Sequence, residues 1–326
     1  MKALVLYGAY RVRVEDRPVP EVEDGWVLVK TEAVGICGTD KAFYRGSYTP
    51  PKLPIIPGHE AVGRVVAGPS SLVGARIVTE INLVVDWSHP YCRMGAYTHA
   101  PPPYRMVLGI DFDGAMAEYF KTRIEAVHVV GDMDPLRAVY VEPLAAVLRA
   151  LSLEPPRPGW RVAVMGTGPL ALLAFQVLER HGCRVEVIAR RDSPKKKYFE
   201  RLGARIVDLE DAIRSRVDSY DAVFEATGSP DALDYAVRIT RPLGVVYLKS
   251  THGMPVAFNQ TLAVVKELRM VASRCGTFRE FEEAIRMIRD REVDVVVTSV
   301  YPLEEGEKAF KKSLERSELK VVVKPS

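Results

Sequence analysis

Four residues of this chain are of the types that hold a catalytic zinc ion: Cys37, His59, Glu60 and Glu142. They stand in Val34-Gly35-Ile36-Cys37-Gly38-Thr39-Asp40, Pro57-Gly58-His59-Glu60 and Val141-Glu142-Pro143-Leu144. A soft thiolate, an imidazole and two carboxylates are what one catalytic zinc requires, with three protein ligands and a position left open for water or substrate. Taken singly, Cys37 would read as an inert buried cysteine and His59 as a satisfied core histidine. Their joint presence points to metal chemistry.

A second centre lies further on. Gly166-Thr167-Gly168-Pro169-Leu170-Ala171 follows the apolar strand Val162-Ala163-Val164-Met165 and opens a helix. The first glycine permits a tight turn, and the second lets a pyrophosphate approach the backbone. Ala171 permits close helix–sheet packing, and the helix N-terminus meets the phosphates. The motif therefore predicts a dinucleotide. NAD-binding folds place an acidic residue about 20 residues on, for the ribose 2′-hydroxyl. Here the next strand runs out into Ala189-Arg190-Arg191-Asp192. Arg190 and Arg191 suit a 2′-phosphate through charge-assisted, bidentate hydrogen bonds, which favours NADP(H) over NAD(H). Asp192, one step beyond, leaves NAD binding open, and Lys195-Lys196-Lys197 reads as a solvated helix start.

The elements that must carry these residues change in texture along the chain. Residues 1–30 read as strands, with Asp24-Gly25 as a turn before Trp26-Val27-Leu28-Val29. Short strands continue through 62–66 and 75–78, residues 86–110 read as a lobe, and 114–120 returns to strand. From Pro135 the pattern is a helix over 136–153, stopped by Pro155-Pro156-Arg157-Pro158-Gly159. Strands at 162–165, 185–188, 222–225 and 245–248 then alternate with helices at 170–181, 195–202 and 230–239. That alternation predicts a parallel sheet covered on both faces. Near Met270 it loosens. Phe278, Phe281, Ile285 and Ile288 mark an amphipathic helix, followed by a strand over 293–300, a short charged helix and a strand over 319–323.

Bulk properties narrow the class. The chain has 326 residues, 48% of them hydrophobic and 27% charged, with a net charge of +3. This is globular material for two domains, with no basic concentration that calls for nucleic acid or a membrane surface. No apolar run is long enough to span a bilayer or to serve as a leader. Cys37, Cys92, Cys183 and Cys275 are too scattered for a disulfide framework, so a cytoplasmic location is expected. Amides are confined to Asn82, Asn259, Gln176 and Gln260. Such depletion beside abundant charge is a hyperthermophile pattern, in which a Cys183–Cys275 disulfide stays open as an option.

Together the motifs resemble the zinc-dependent medium-chain dehydrogenase/reductase family, the alcohol and polyol dehydrogenases. The resemblance extends through Glu225-Ala226-Thr227-Gly228-Ser229, Ser273-Arg274-Cys275-Gly276 and Tyr301-Pro302-Leu303-Glu304-Glu305. It implies an α/β architecture: a GroES-like β-rich catalytic domain from residues 1–142 and 272–326, and a Rossmann doubly wound parallel-sheet domain over 143–271. It further implies Cys37, His59 and Glu142 as ligands of one catalytic zinc. Glu60 is then a fourth ligand or a carboxylate exchanging with water, and Asp40 hydrogen-bonds His59. Thr39 resembles the start of the family's hydroxyl relay; the histidine that many members carry beyond the aspartate is Ala42 here. Thr227 joins Gly166, Thr167, Gly168, Pro169 and Leu170 at the cofactor. Phe43 and Asn82 line the substrate, although Phe43 reads equally as a core aromatic.

A second, structural zinc is usual in the family lobe near residues 86–100. This chain offers Asp86, His89, Cys92 and Ala100 there, with His99 adjacent. Asp86, His89, Cys92 and His99 make a substitute ligand set on paper. The preferred reading is that this metal is lost and the lobe packs around Trp87, Tyr91 and Tyr97. The expected function is hydride transfer between NADP(H) and an alcohol, polyol or sugar, by a homodimer or homotetramer. The arginine pair and carboxylate-rich zinc set, shared with archaeal sugar dehydrogenases, tilt this toward polar hydroxylated substrates. The rivals are a simple primary or secondary alcohol–aldehyde dehydrogenase using NAD(H), and a nucleotide-binding sensor or structural protein without turnover.

Overall fold

The computed structural model describes residues 1–251 and 253–325 and divides into two compact units. One is Met1–Ala145 with Cys275–Ser326, the other Ala146–Arg274.

The first unit is built on a seven-stranded sheet. Its order is Ser299–Pro302, Val321–Lys324, Trp26–Gly35, Glu60–Ala67, Arg76–Thr79 and Val127–Val129, and Tyr119–Arg123 also pairs with Trp26–Gly35. Irregular register at Leu28/Val29 and Thr31/Ala33 bends the long central strand. Val27, Val29, Val34, Phe120, Val321 and Val323 belong to one buried core that also takes in Leu4, Phe43 and Phe310. A separate small cluster of Val84, Cys92, Tyr97 and Ala100, with Tyr104 against it, fills the lobe.

The second unit is a six-stranded, wholly parallel sheet. Its order is Arg205–Asp208, Arg184–Ala189, Arg161–Met165, Tyr220–Glu225, Thr240–Leu248 and Arg269–Ala272. Val162, Ala163, Val164 and Met165 are all buried, as a central strand covered on both faces must be. The chain builds outward from Arg161–Met165 to one edge, then restarts beside it at Tyr220–Glu225. That reversal is the switch point at which such sheets bind ligands, outside the carboxyl ends of the strands.

Four local readings need correction. The edge strands Arg205–Asp208 and Arg269–Ala272 carry no long apolar run and are nowhere fully buried, and the sequence pattern passes over them. The predicted helix over 136–153 is two pieces, Pro135–Ala138 and Val141–Leu153. The predicted strand over 293–300 is limited to Ser299–Pro302. Its earlier residues find other partners: the Tyr140 hydroxyl donates to Val296 O at 2.5 Å, and Thr298 N to Lys320 O at 2.8 Å. Phe278, assigned to the inner face of its helix, is 54% exposed, whereas Phe281, Ile285 and Ile288 are buried.

Candidate active site

Strand register assembles the first site. Gly35 lies opposite Glu60, and Val322 opposite Gly35. The segment after Gly35, the residue before Glu60 and the residues ahead of Val322 therefore meet at one end of the sheet. Cys37 arrives beside His59, and Lys320 comes in from the last strand. Close approach dictates glycine at position 35, where a Cβ would stand 2.1 Å from Glu60 Oε2.

Asp40, fully buried on the first turn of helix Gly38–Arg45, ties the Cys37 and His59 segments together. Its Oδ2 accepts from Cys37 N at 2.8 Å, and the carboxylate also takes a backbone hydrogen bond from Gly58. The expected bond to His59 is not made. His59 Nδ1 and Asp40 Oδ1 are 3.9 Å apart, and both atoms are buried without a hydrogen-bond partner. Burial pushes the Asp40 carboxyl up. Burial alone would lower the His59 imidazole, but Asp40, then Cys37 and Glu142, carry it well above its ordinary value.

This pocket gathers carboxyl groups and a thiol around one buried imidazole, and such polar groups need partners when removed from water. Glu142, buried in the first turn of helix Val141–Leu153, completes it. Among the described residues no three Cys, His, Asp or Glu side chains already stand as a finished metal-binding group. The donor set nonetheless fits zinc. A thiol, a buried imidazole and a buried carboxylate lie within electrostatic reach of one another, and these are the donor types that a catalytic zinc takes.

Glu60 is engaged elsewhere. Its Oε2 meets Lys320 Nζ in an ion pair whose two side chains are each 2% exposed. The ammonium also lies 5.3 Å from the centre of the Tyr140 ring. Thr39 is half-buried two residues after Cys37. Phe43 belongs to the core, with Tyr48 against it at 5.3 Å. Asn82 is buried with its amide committed: Nδ2 donates to Cys275 Sγ at 2.8 Å, and Oδ1 accepts from Arg105 at 3.3 Å.

The lobe residues have separate employments. Asp86 Oδ1 accepts from Ser88 N, His89 Nδ1 accepts from Tyr91 N, and Cys92 is in the apolar cluster. His99 faces the Tyr91 ring at 6.4 Å. Of the three aromatics assigned to lobe packing, Tyr97 is buried while Trp87 and Tyr91 are largely exposed. All four cysteines are free thiols, so the Cys183–Cys275 disulfide is not formed.

In the second unit Gly166 adopts φ +111°, and a Cβ there would stand 2.8 Å from Ala226 O. Only glycine fits. Gly168 begins helix Pro169–Arg180 with no side-chain cap, and a Cβ at this position would meet nothing within 4 Å. Open space in front of an uncapped helix N-terminus is the cradle a pyrophosphate requires. Thr227 closes the neighbouring loop, its N and Oγ1 both donating to buried Glu225 Oε1 at 2.7 and 2.6 Å. Arg190 and Arg191 are exposed just past the end of strand Arg184–Ala189.

Two family models match the chain: the alcohol dehydrogenase GroES-like domain over residues 23–132 and the glucose dehydrogenase C-terminus over residues 137–324. The chain belongs to the medium-chain dehydrogenase/reductase family. It is similar to the sorbitol dehydrogenase of Halalkalibacterium halodurans, at 28% identity across 100% of this chain and 99% of that protein. It is 30% identical to the erythritol/L-threitol dehydrogenase of Mycolicibacterium smegmatis, over 95% and 93% of the two chains. Among solved structures, a dehydrogenase of Sinorhizobium meliloti bound to NADP superposes with a TM-score of 0.88, at 26% identity and 99% coverage of each.

For this alcohol-dehydrogenase-like oxidoreductase, sequence reasoning missed Lys320. The signal was present: a lone lysine inside the apolar run Leu319-Lys320-Val321-Val322-Val323. It also missed Ser193 and Asp208, whose relation to the cofactor motif is visible only once the strands are paired. Among the described residues of the dehydrogenase, no helix is long and apolar enough to cross a membrane.

Proposed function

We propose that this protein is a zinc-dependent dehydrogenase that moves a hydride between NADP(H) and the hydroxyl or carbonyl carbon of a polyol, sugar or related alcohol. The observation that carries the reading is the convergence of Cys37, Glu142 and Asp40 on the buried His59. The names of the relatives, sorbitol and erythritol/L-threitol dehydrogenases, support the polyol class.

Cys37, His59 and Glu142 would hold the ion. A zinc ion there supplies Lewis acidity, lowering the pKa of a bound hydroxyl so that its carbon can release hydride to a nicotinamide. Asp40 fixes the Cys37 and Gly58 segments against each other and so sets the spacing of two ligands. Lys320 holds Glu60 and neutralises it, leaving three residues to the metal. The Thr39 hydroxyl would take the substrate proton, and Ala42 offers no onward relay. The Gly166–Ala171 turn receives the pyrophosphate, and Arg190 with Arg191 gives the site its preference for a 2′-phosphate.

The exposed edge strand Arg269–Ala272, with Val264 and Val265 exposed just ahead of it, supports self-association into a homodimer or homotetramer. The amide-poor composition supports a hot working range. The test is metal analysis together with a panel of alcohols, polyols, aldoses and hydroxy acids, run hot with both nicotinamide cofactors. One zinc per chain and higher kcat/KM for polyols with NADP+ are expected. Turnover without zinc, or better turnover with NAD+, would remove the corresponding part of the reading.

A further inference from the structure

Cofactor preference in this fold is usually read at the end of the second strand, yet here the neighbouring strand ends on a charge as well. Ala189 pairs in register with Asp208, the last residue of edge strand Arg205–Asp208. Asp208 has two partners. Its Oδ1 accepts from Glu210 N at 3.0 Å, capping helix Leu209–Ser215, and its Oδ2 lies 3.4 Å from Arg191 Nε. Asp211 is 3.9 Å from the same guanidinium.

The loop bearing the arginines is braced. Ser193 Oγ is 2.9 Å from Thr167 Oγ1 in the glycine turn, and Ser193 N donates to Arg190 O at 3.0 Å. Lys196 Nζ donates to Arg191 O at 2.6 Å. On this fixed loop Arg191 is turned toward two carboxylates, whereas Arg190 makes no ion pair among the described residues. A negative charge thus sits one strand away from the position where a 2′-phosphate would lie.

We infer that Asp208 is a specificity-determining residue of the cofactor site: by engaging Arg191 and placing a carboxylate at the strand end, it limits the preference for a 2′-phosphate over a 2′-hydroxyl. This rests on the NADP(H) reading above. Arg191 is 73% exposed, and an exposed ion pair is weak enough to yield to a competing dianion. Removing the carboxylate frees Arg191 and removes a like charge. Both effects favour NADP(H), and neither touches NAD(H).

Asp208→Asn isolates the charge, because asparagine caps a helix as well as aspartate does. Dissociation constants for NADPH and NADH are measured by nicotinamide fluorescence on the full chain without substrate, alongside its melting temperature. NADPH should bind about three- to tenfold tighter, and NADH should stay within about twofold. Asp208→Ser, a second uncharged cap, should do the same if the asparagine variant folds poorly. An unchanged NADPH-to-NADH ratio in folded variants would overturn the inference and leave Asp208 as a cap only. Wild type binding NADH more tightly would remove the NADP(H) reading instead, while a shift of the ratio toward NADPH in Asp208→Asn would still support the role of Asp208.

Discussion

Glu60 and Lys320, separated by 260 positions in the chain, form an ion pair in which both side chains are almost wholly out of water. A buried pair of this kind is costly to break, because the partner left behind is an uncompensated charge. Lys320→Met should lower the unfolding free energy by about 3–5 kcal/mol, measured by chemical denaturation. The double variant Glu60→Gln with Lys320→Met should recover a substantial part. A Lys320→Met protein as stable as wild type would show that Glu60 is balanced by something else.

Cys37→Ser should abolish turnover and reduce bound zinc while leaving NADPH binding within about twofold, because the cofactor motif lies in the other unit. Metal analysis and cofactor fluorescence on the same preparation check this. Loss of cofactor binding as well would assign Cys37 a folding role.

Lys266 acts as a C-terminal clamp on helix Ala232–Ile239. Its buried ammonium donates to the carbonyls of Val237, Arg238 and Thr240 at 2.8–2.9 Å and pairs with Asp218 at 2.6 Å. Lys266→Met keeps the apolar stem but orphans those acceptors, at a cost of about 2–4 kcal/mol. Calorimetry should show a lower melting temperature with zinc content unchanged. An unaltered melting point would mean that water satisfies the carbonyls.

His128 gives stability a pH dependence. Its ring stacks on Phe281 at 5.1 Å, and its nitrogens meet Glu282 Oε1 at 2.5 Å and Glu80 Oε1 at 3.3 Å. Tyr97 donates to Glu80, whose surroundings also include Glu280. Burial alone would lower the imidazole pKa, but the two carboxylates raise it. A raised imidazole stabilises fully below the unfolded value of about 6.5 and loses that contribution as pH rises through the folded value. Burial raises the Glu80 carboxyl too, which again makes stability fall with rising pH. The melting-temperature gap between wild type and His128→Gln should narrow from about pH 6 to about pH 9. A gap constant across that range would sink the assignment.

The parallel sheet was legible because its inner strands are unbroken apolar runs bounded by helices, as Val162-Ala163-Val164-Met165 and Val245-Val246-Tyr247-Leu248 show. The edge strand Arg205–Asp208 was not, since none of its residues is fully buried and its pattern resembles a loop. Cys37, His59 and Glu142 could be singled out by chemical type, but not the partners of the surrounding carboxylates. Whether Asp40 reaches His59 or the backbone of Cys37 depends on a separation of about an ångström, which residue types do not encode. The capture of Glu60 by Lys320 depends on pairing the first long strand with the last, a relation with no local trace.

That pairing also sets an order of events during synthesis. Residues 146–274 hold every strand of the parallel sheet, so the nucleotide-binding unit can close while the remainder is still being made. The first unit cannot do so. Strand Trp26–Gly35 waits for Val321–Lys324, and Glu60 has no counter-ion until Lys320 has emerged from the ribosome. Its loops therefore close late, at high sequence separation. A nascent chain halted before Lys320 would carry a finished parallel-sheet unit beside an open sheet edge and a Glu60 without its counter-ion, making the strand Val321–Lys324 the timing element of the first unit.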